Sequence, residues 1–382
     1  MPVRCHRHVR RVAPAAVLLG VVTAVLPTTP ALAATWTEVP MPATPVPTTA
    51  GYVGVDALSP SDVWAVGSTG GHVSQPWARP AVARFNGSTW SSVPTPALPD
   101  SAHLRGVDGS SATNVWAVGE QSGRPLAERW NGTAWSVVPA PSPAGTSGAL
   151  EGVKVFSTTN AWAVGTSIGR GTPGIRTLIQ RWDGAAWAVV PSPSPDPTQN
   201  LLADVDGAAP NDVWAIGNRG DWGYGTTVAG LVLHYDGTAW STVDVPGIEF
   251  DATLSAPTLE DITVVASDDI WIVGRGFHRT LFRWVPVHWH FDGRGWQRGV
   301  MTDAPDGGFY GVTALPGNRV YAVGVVVARW DGAAWRTEPT PAQGMQAAAA
   351  AAAGTGTVWA VGSAWNPAVD QWRPVSVRTT NG

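Results

Sequence analysis

The chain of 382 residues contains a single cysteine, Cys5, and a single lysine, Lys154. Cys5 falls within the first 33 residues, which carry the marks of a removable export signal. The mature chain is therefore expected to hold no disulfide, no thiolate metal site and no cysteine nucleophile. Charged residues are scarce too, at 14% of the chain, and their balance is acidic: the net charge is −4, and −8 once the four arginines of the first 33 residues are set aside. Nucleic-acid binding relies on basic surface to neutralise phosphate, so this balance argues against it. Beyond residue 33 no apolar run approaches the ~20 residues that a membrane-spanning helix needs, and no membrane span is expected.

The first 33 residues open with Arg4, Arg7, Arg10 and Arg11, continue as an apolar run from Val12 to Leu26, and end on Ala31-Leu32-Ala33, an A-x-A cleavage site. The expected division is a secretion signal over 1–33 and one domain over 34–382, secreted to the extracellular side of a bacterial cell after cleavage near Ala33.

What the chain has in abundance is tryptophan (22), glycine (44) and proline (33), a composition suited to short strands and tight turns. Two units recur. The first is Arg129-Trp130-Asn131-Gly132-Thr133-Ala134-Trp135, which returns at 84–90, 181–187, 234–240, 290–296 and 329–335. An Asn-Gly or Asp-Gly pair between strand-like flanks predicts a two-residue type I′ hairpin, with positive φ at both central positions. The second is Val63-Trp64-Ala65-Val66-Gly67, which returns six more times, with Tyr321 replacing the tryptophan once. Its central aromatics are 52, 46, 52, 57, 50 and 38 residues apart, about the length of a four-stranded propeller blade.

Each period divides into strands A to D; in the second these are predicted at Leu104–Gly109, Val115–Gly119, Leu126–Trp130 and Trp135 to about Pro139. Seven B strands are present but only six complete C–D hairpins. The missing D strand matches Trp36 to Pro42 at the other end of the chain, which predicts that the N-terminal strand completes the last blade and closes the ring. Seven consecutive alanines, Ala347 to Ala353, favour a helix by propensity but fall where strand A of the seventh blade is required. A strand is expected there.

The strand-B aromatic and glycine, with the aromatic pair of the C–D hairpin, resemble kelch-type propeller repeats, and the closure resembles that of WD40 propellers. The resemblance implies an all-β fold: a seven-bladed β-propeller of four-stranded antiparallel blades. Copper chemistry of the galactose-oxidase kind, which needs a Cys-Tyr crosslink, is excluded by the absence of a mature cysteine.

Seventeen of the tryptophans occupy repeated slots and are assigned to packing between blades. Five remain: Trp77, Trp222, Trp284, Trp289 and Trp365. All but Trp289 are predicted in B–C loops, which share one face of a propeller, alongside Tyr224, His278, Phe282 and Arg283. Aromatic rings stack on sugars and other planar groups while charged side chains orient polar substituents, which makes this face a candidate ligand site. The competing expectation is that each long loop folds its own tryptophan beneath itself.

A second candidate is axial: Asp56, Asp108, Lys154 and Asp206 at matching positions of strand A, with Arg105, Glu151, Asp204, Glu260 and Asp261 nearby. Paired acids there suit hydrolysis or lyase chemistry, while the alternative is charge solvated by water in the channel. His288 and His290 form an H-x-H suited to a metal, but His290 occupies the repeat's basic slot. The reading from sequence is a monomeric, exported, non-enzymatic binding module for an extracellular glycan or protein, with no cofactor and no metal. The alternatives are a hydrolase or lyase using the axial acids, and a protein-interaction scaffold.

Overall fold

The computed structural model describes residues 35–42, 51–69, 78–169, 174–221, 228–317, 319–341, 345–353, 356–366 and 371–379; side chains at 345–353, 365, 366, 371 and 372 are outside the description. Residues Ala34–Gly382 form one compact unit. They fold into seven antiparallel four-stranded sheets, six of them from consecutive strands A to D. The seventh is built from Met345–Ala353, Thr357–Asn366 and Gln371–Thr379, with Trp36–Glu38 added to its outer edge. Trp36 pairs with Thr379 and Glu38 with Val377, and the Trp36 indole donates to Glu338 Oε2 of blade six at 2.8 Å. The ring thus closes through the N-terminal strand. The alanine run is a strand, because its neighbour Thr357–Asn366 supplies a full antiparallel ladder that overrides helix propensity.

The repeated units are the seams between blades. Trp64 of blade one meets Trp130 and Trp135 of blade two at ring distances of 5.1 and 5.4 Å. Trp116 meets Trp182 and Trp187 in the same way, and Trp359 of blade seven meets Phe85 and Trp90 of blade one at 4.6 and 5.5 Å. Each strand-B aromatic is therefore covered by the C–D hairpin of the following blade, in tilted and edge-on geometries that aromatic quadrupoles favour. The basic slot caps the same ring: the Arg84 guanidinium lies 4.7 Å from the Trp64 centroid and pairs with Asp62 at 2.7 Å. His290 stacks on Trp271 at 3.8 Å with Nε2 2.9 Å from Asp269 Oδ1.

The hairpins depart from the predicted type I′ turn. Trp130 pairs with Trp135, leaving a four-residue connection in which only the glycine has positive φ, +100° at Gly132. Asn131 Oδ1 accepts the Thr133 and Ala134 amides at 2.9 and 3.0 Å. The side-chain carboxamide thus turns the backbone itself, which is why Asn or Asp serves equally in every copy.

Candidate functional site

Strand A of each blade lines the axis, and its register against strand B is interrupted at the same place in all seven. In blades one to six the extra residue is Val53, Arg105, Glu151, Ala203, Glu260 and Tyr310. A bulge re-aims the side chain it inserts, and these residues line one end of the axial channel, toward the B–C loops. Next along the axis come Gly54, Gly106, Gly152, Asp204, Asp261 and Gly311. Deeper still, opposite the strand-B aromatics, stand Asp56, Asp108, Lys154, Asp206, Thr263 and Thr313. The glycines reflect convergence at the axis: a Cβ on Gly106 would lie 2.7 Å from the Glu151 carbonyl oxygen. In blades four and five the same position is an aspartate, and the two side chains are hydrogen-bonded to each other.

Two confluent cavities result. The mouth, about 150 Å³, is lined by Arg105, Glu151, Asp204, Glu260, Asp261 and Tyr310 among others. The deeper one, about 280 Å³, is lined by Asp56, Asp108, Lys154, Asp204, Asp206 and Asp261 with intervening backbone. Burial, then the neighbouring Asp261 charge and hydrogen bond, pushes the Asp204 carboxyl well above the usual carboxylate range, and burial raises Asp261 as well. Burial and the closeness of like charges thus both favour the protonated form in this pair. Burial lifts Asp108 to about 6, and Asp56 is raised well above its ordinary value by burial and by the Asp108 charge. Burial disfavours the Lys154 ammonium, but Asp206, at 2.7 Å, and Asp108 more than offset it and hold the group charged.

The axial acids do more than face channel water. The five aspartates reach across to the next blade's strand A: Asp108 accepts the Val155 amide, Asp206 the Val264 amide at 2.7 Å, Asp204 the Ile262 amide at 3.3 Å and Asp261 the Val312 amide at 2.6 Å. Asp56 accepts the Gly109 amide in the same manner. They clasp neighbouring blades at the axis, where strands are closest.

Of the predicted B–C set, Trp77, Trp222 and Tyr224 lie outside the described residues, as does the Trp365 side chain. Trp284 and Trp365 lie on strands, Arg283–Phe291 and Thr357–Asn366, because blades five and seven extend their ladders beyond the length of their neighbours. Trp284 is half-buried, edge-on to Phe277 at 5.8 Å, with the Arg275 guanidinium 5.0 Å from its centroid. Arg283 is held by the Ala304 and Thr302 carbonyls, and His278 Nδ1 faces the Leu281 amide at 3.2 Å. Phe282, 80% exposed with φ +51°, stands beside the exposed Leu281 at the tip of that hairpin. The fifth leftover, Trp289, is wholly buried core. His288 is buried beside Trp271, Trp330 and Trp335, and burial pushes its imidazole down to about 4. Among the described residues no cluster of three or more metal-ligating side chains forms.

Sequence reasoning missed Tyr310. It sits in the mouth, and Arg275 lies between it and Trp284, 5.8 Å from the Tyr310 centroid and 3.4 Å from Glu260. Arg275 thus lies between the axial mouth and Trp284. The signal was the match of Phe309-Tyr310-Gly311 to Leu104-Arg105-Gly106, legible only once the bulge is known.

Among solved structures, the chain is similar to one described as YCF48 bound to D1 peptide (15% identity, 93% of this chain and 100% of that one, TM-score 0.56). It is also similar to U3-55K (9% identity, 90% and 98%, TM-score 0.56) and to the polysaccharide lyase Uly1 (10% identity, 89% and 92%, TM-score 0.50). These likenesses are of fold. No protein-family model and no curated protein matches the chain.

Proposed function

We propose that this protein is an exported, non-enzymatic binding module whose ligand, an extracellular glycan or a cell-surface protein, seats on the B–C face around the axial mouth. The observation that carries the reading is a run of contacts: Asp204, Asp261, Glu260 and Tyr310 line the mouth, and Arg275 beside it pairs with Glu260 and lies against both Tyr310 and Trp284. The C–D hairpins, though richer in aromatics, are consumed by the seams. Export is supported by the basic start, apolar run and A-x-A site that end where the compact unit begins. The same fold carries a peptide-bound structure and a polysaccharide lyase among its examples, so it accommodates either ligand class.

The test is to titrate the protein with glycan and peptide panels while following tryptophan fluorescence and thermal stability. Binding should be lost in Arg275→Ala and Trp284→Ala variants that keep the parent melting temperature. Binding that ignores both substitutions removes the site from this face.

The second reading, a hydrolase or lyase, is favoured by the contact between the Asp204 and Asp261 side chains, since burial and the neighbouring charge raise the Asp204 carboxyl and favour the protonated form that a general acid needs. Turnover abolished by Asp204→Asn while ligand binding survives would select it.

A further inference from the structure

The B–C rim has unequal height. Counted from the seam aromatic, strand B ends at Thr69, Gln121 and Arg219 in blades one, two and four, and runs on to Gly169, His278 and Asn366 in blades three, five and seven. In blade six it stops at Gly324, three residues past Tyr321, against seven past Trp271 and Trp359 in the flanking blades. At about 3.3 Å per residue, the blades on either side rise roughly 13 Å above blade six. The blade-six connection is only Val325-Val326, turned by Gly324 N–H donating to Val326 O at 3.0 Å, with Val325 N–H on Gly308 O at 3.1 Å. Among the described strand ends the rim is therefore lowest at blade six, which leaves a notch between blades five and seven. On its blade-five side runs the 302–308 segment, tied to Trp284 by Asp306 Oδ1 and the Gly307 N–H, and Arg275 packs against Gly308 beside Tyr310 at the mouth.

Charge and shape together identify the occupant. In the mouth Arg105 is paired with Glu151 and Arg275 with Glu260, whereas among the described residues no Lys or Arg forms an ion pair with Asp204 or Asp261. An incoming cation finds there two adjoining carboxyls with no basic partner among the described residues. The Arg275 guanidinium lies over one face of Trp284 and one face of Tyr310, so a sugar stacking on that face of either ring would have to displace it. A radial notch admits a chain that continues beyond the mouth, and its opposite wall is the strand ladder of blade seven.

We propose that the blade-six notch binds an extended polypeptide segment of a partner, with a lysine or arginine side chain of that segment inserted in the axial mouth against Asp204 and Asp261. This deepens the binding reading above and rests on it.

The test pans the full-length chain against phage-displayed random linear heptapeptides and measures synthetic versions of the enriched sequences by fluorescence anisotropy. The enriched set should share a lysine or arginine. Affinity should fall by about tenfold or more in the Asp204→Asn/Asp261→Asn double variant, where the amide oxygen keeps the backbone contacts but the charge is gone. It should fall similarly when a four-residue Gly/Ser insertion between Val325 and Val326 raises blade six and leaves every axial hydrogen bond untouched, and it should be unchanged in Phe282→Ser. Enrichment without basic residues, or affinity indifferent to both the double variant and the insertion, overturns the proposal. Loss confined to Phe282→Ser also overturns it while leaving the B–C face as the site. Glycan binding abolished by the insertion, with no peptide enriched, replaces the polypeptide with a sugar chain.

Discussion

At the scale of single residues, Glu128 is a costly side chain to bury in the seams. It lies on strand C of blade two, on the same side as Leu126 and Trp130, which pack against Trp64, Val66 and Val82 of blade one. It is 0% exposed, and neither carboxyl oxygen has a hydrogen-bond partner among the described residues. Its counterpart in blade three, Gln180, donates to the Pro141 carbonyl at 2.9 Å. Burial pushes Glu128 up from 4.5 to about 7. Because the folded chain holds this proton more tightly than the unfolded one, stability falls as pH rises from 4.5 toward 7, and the cost is complete above that. Glu128→Gln should therefore raise unfolding free energy by up to about 3 kcal/mol near pH 8 and by almost nothing near pH 4, as read from urea melts of the two proteins at both values. An equal gain at both pH values would mean that packing, not charge, is responsible. Glu128 was illegible in the sequence because the same slot holds Ala83 in blade one and Gln180 in blade three, so the repeat prescribes no acid there. The tryptophans, by contrast, could be sorted by subtraction, though subtraction alone did not separate Trp289, a core residue, from Trp284.

At the scale of elements, the C–D hairpin shows what a motif does and does not disclose. Its position and its glycine were readable, but its turn type was not, because the Asn131 side chain supplies the acceptor that a type I′ turn would have taken from the backbone. Gly132→Ala meets two obstacles: φ of +100°, and a Cβ that would stand 2.8 Å from Thr113 Cγ2. The expected loss is about 1–2 kcal/mol, with little change for Ala134→Gly beside it beyond its own smaller chain-entropy cost. Chemical denaturation of the two variants distinguishes a positional requirement from general loosening of the loop. The lengths of strand B, which create the notch over blade six, carry no comparable signature. Strand ends are set by how far ladders continue into loops of mixed composition, and Trp284 and Trp365 were for that reason expected in loops.

At the scale of the whole molecule, the ring is held by seven equivalent seams, and one of them depends on the two ends of the chain meeting. Trp36–Glu38 covers the outer edge of Gln371–Thr379, the Trp36 ring rests 6.1 Å from Tyr321, and Arg373 pairs with Glu38. A chain starting at Ala43 loses all three and exposes an open strand edge, so it should melt well below a chain starting at Ala34 and should aggregate on heating. Matching melting temperatures would show that closure is dispensable. This closure was legible in the amino-acid sequence, because an unmatched D strand at one end and an orphaned hairpin at the other leave only one arrangement that satisfies both. The axial clasp was half legible: matched acids on strand A were visible, but not that each reaches the backbone of the next blade, since that requires the inter-blade offset.

The central claim is that the repeat builds the scaffold and that recognition occurs where the repeat is broken, at the mouth and the low rim of blade six. Hydrogen–deuterium exchange of the full chain with and without a peptide enriched in the panning tests it most directly. The account predicts slowed exchange in Phe309–Leu315 and across the Gly324–Val327 turn, with the C–D hairpins on the opposite face unchanged. Protection at those hairpins, with blade six unaffected, would contradict it.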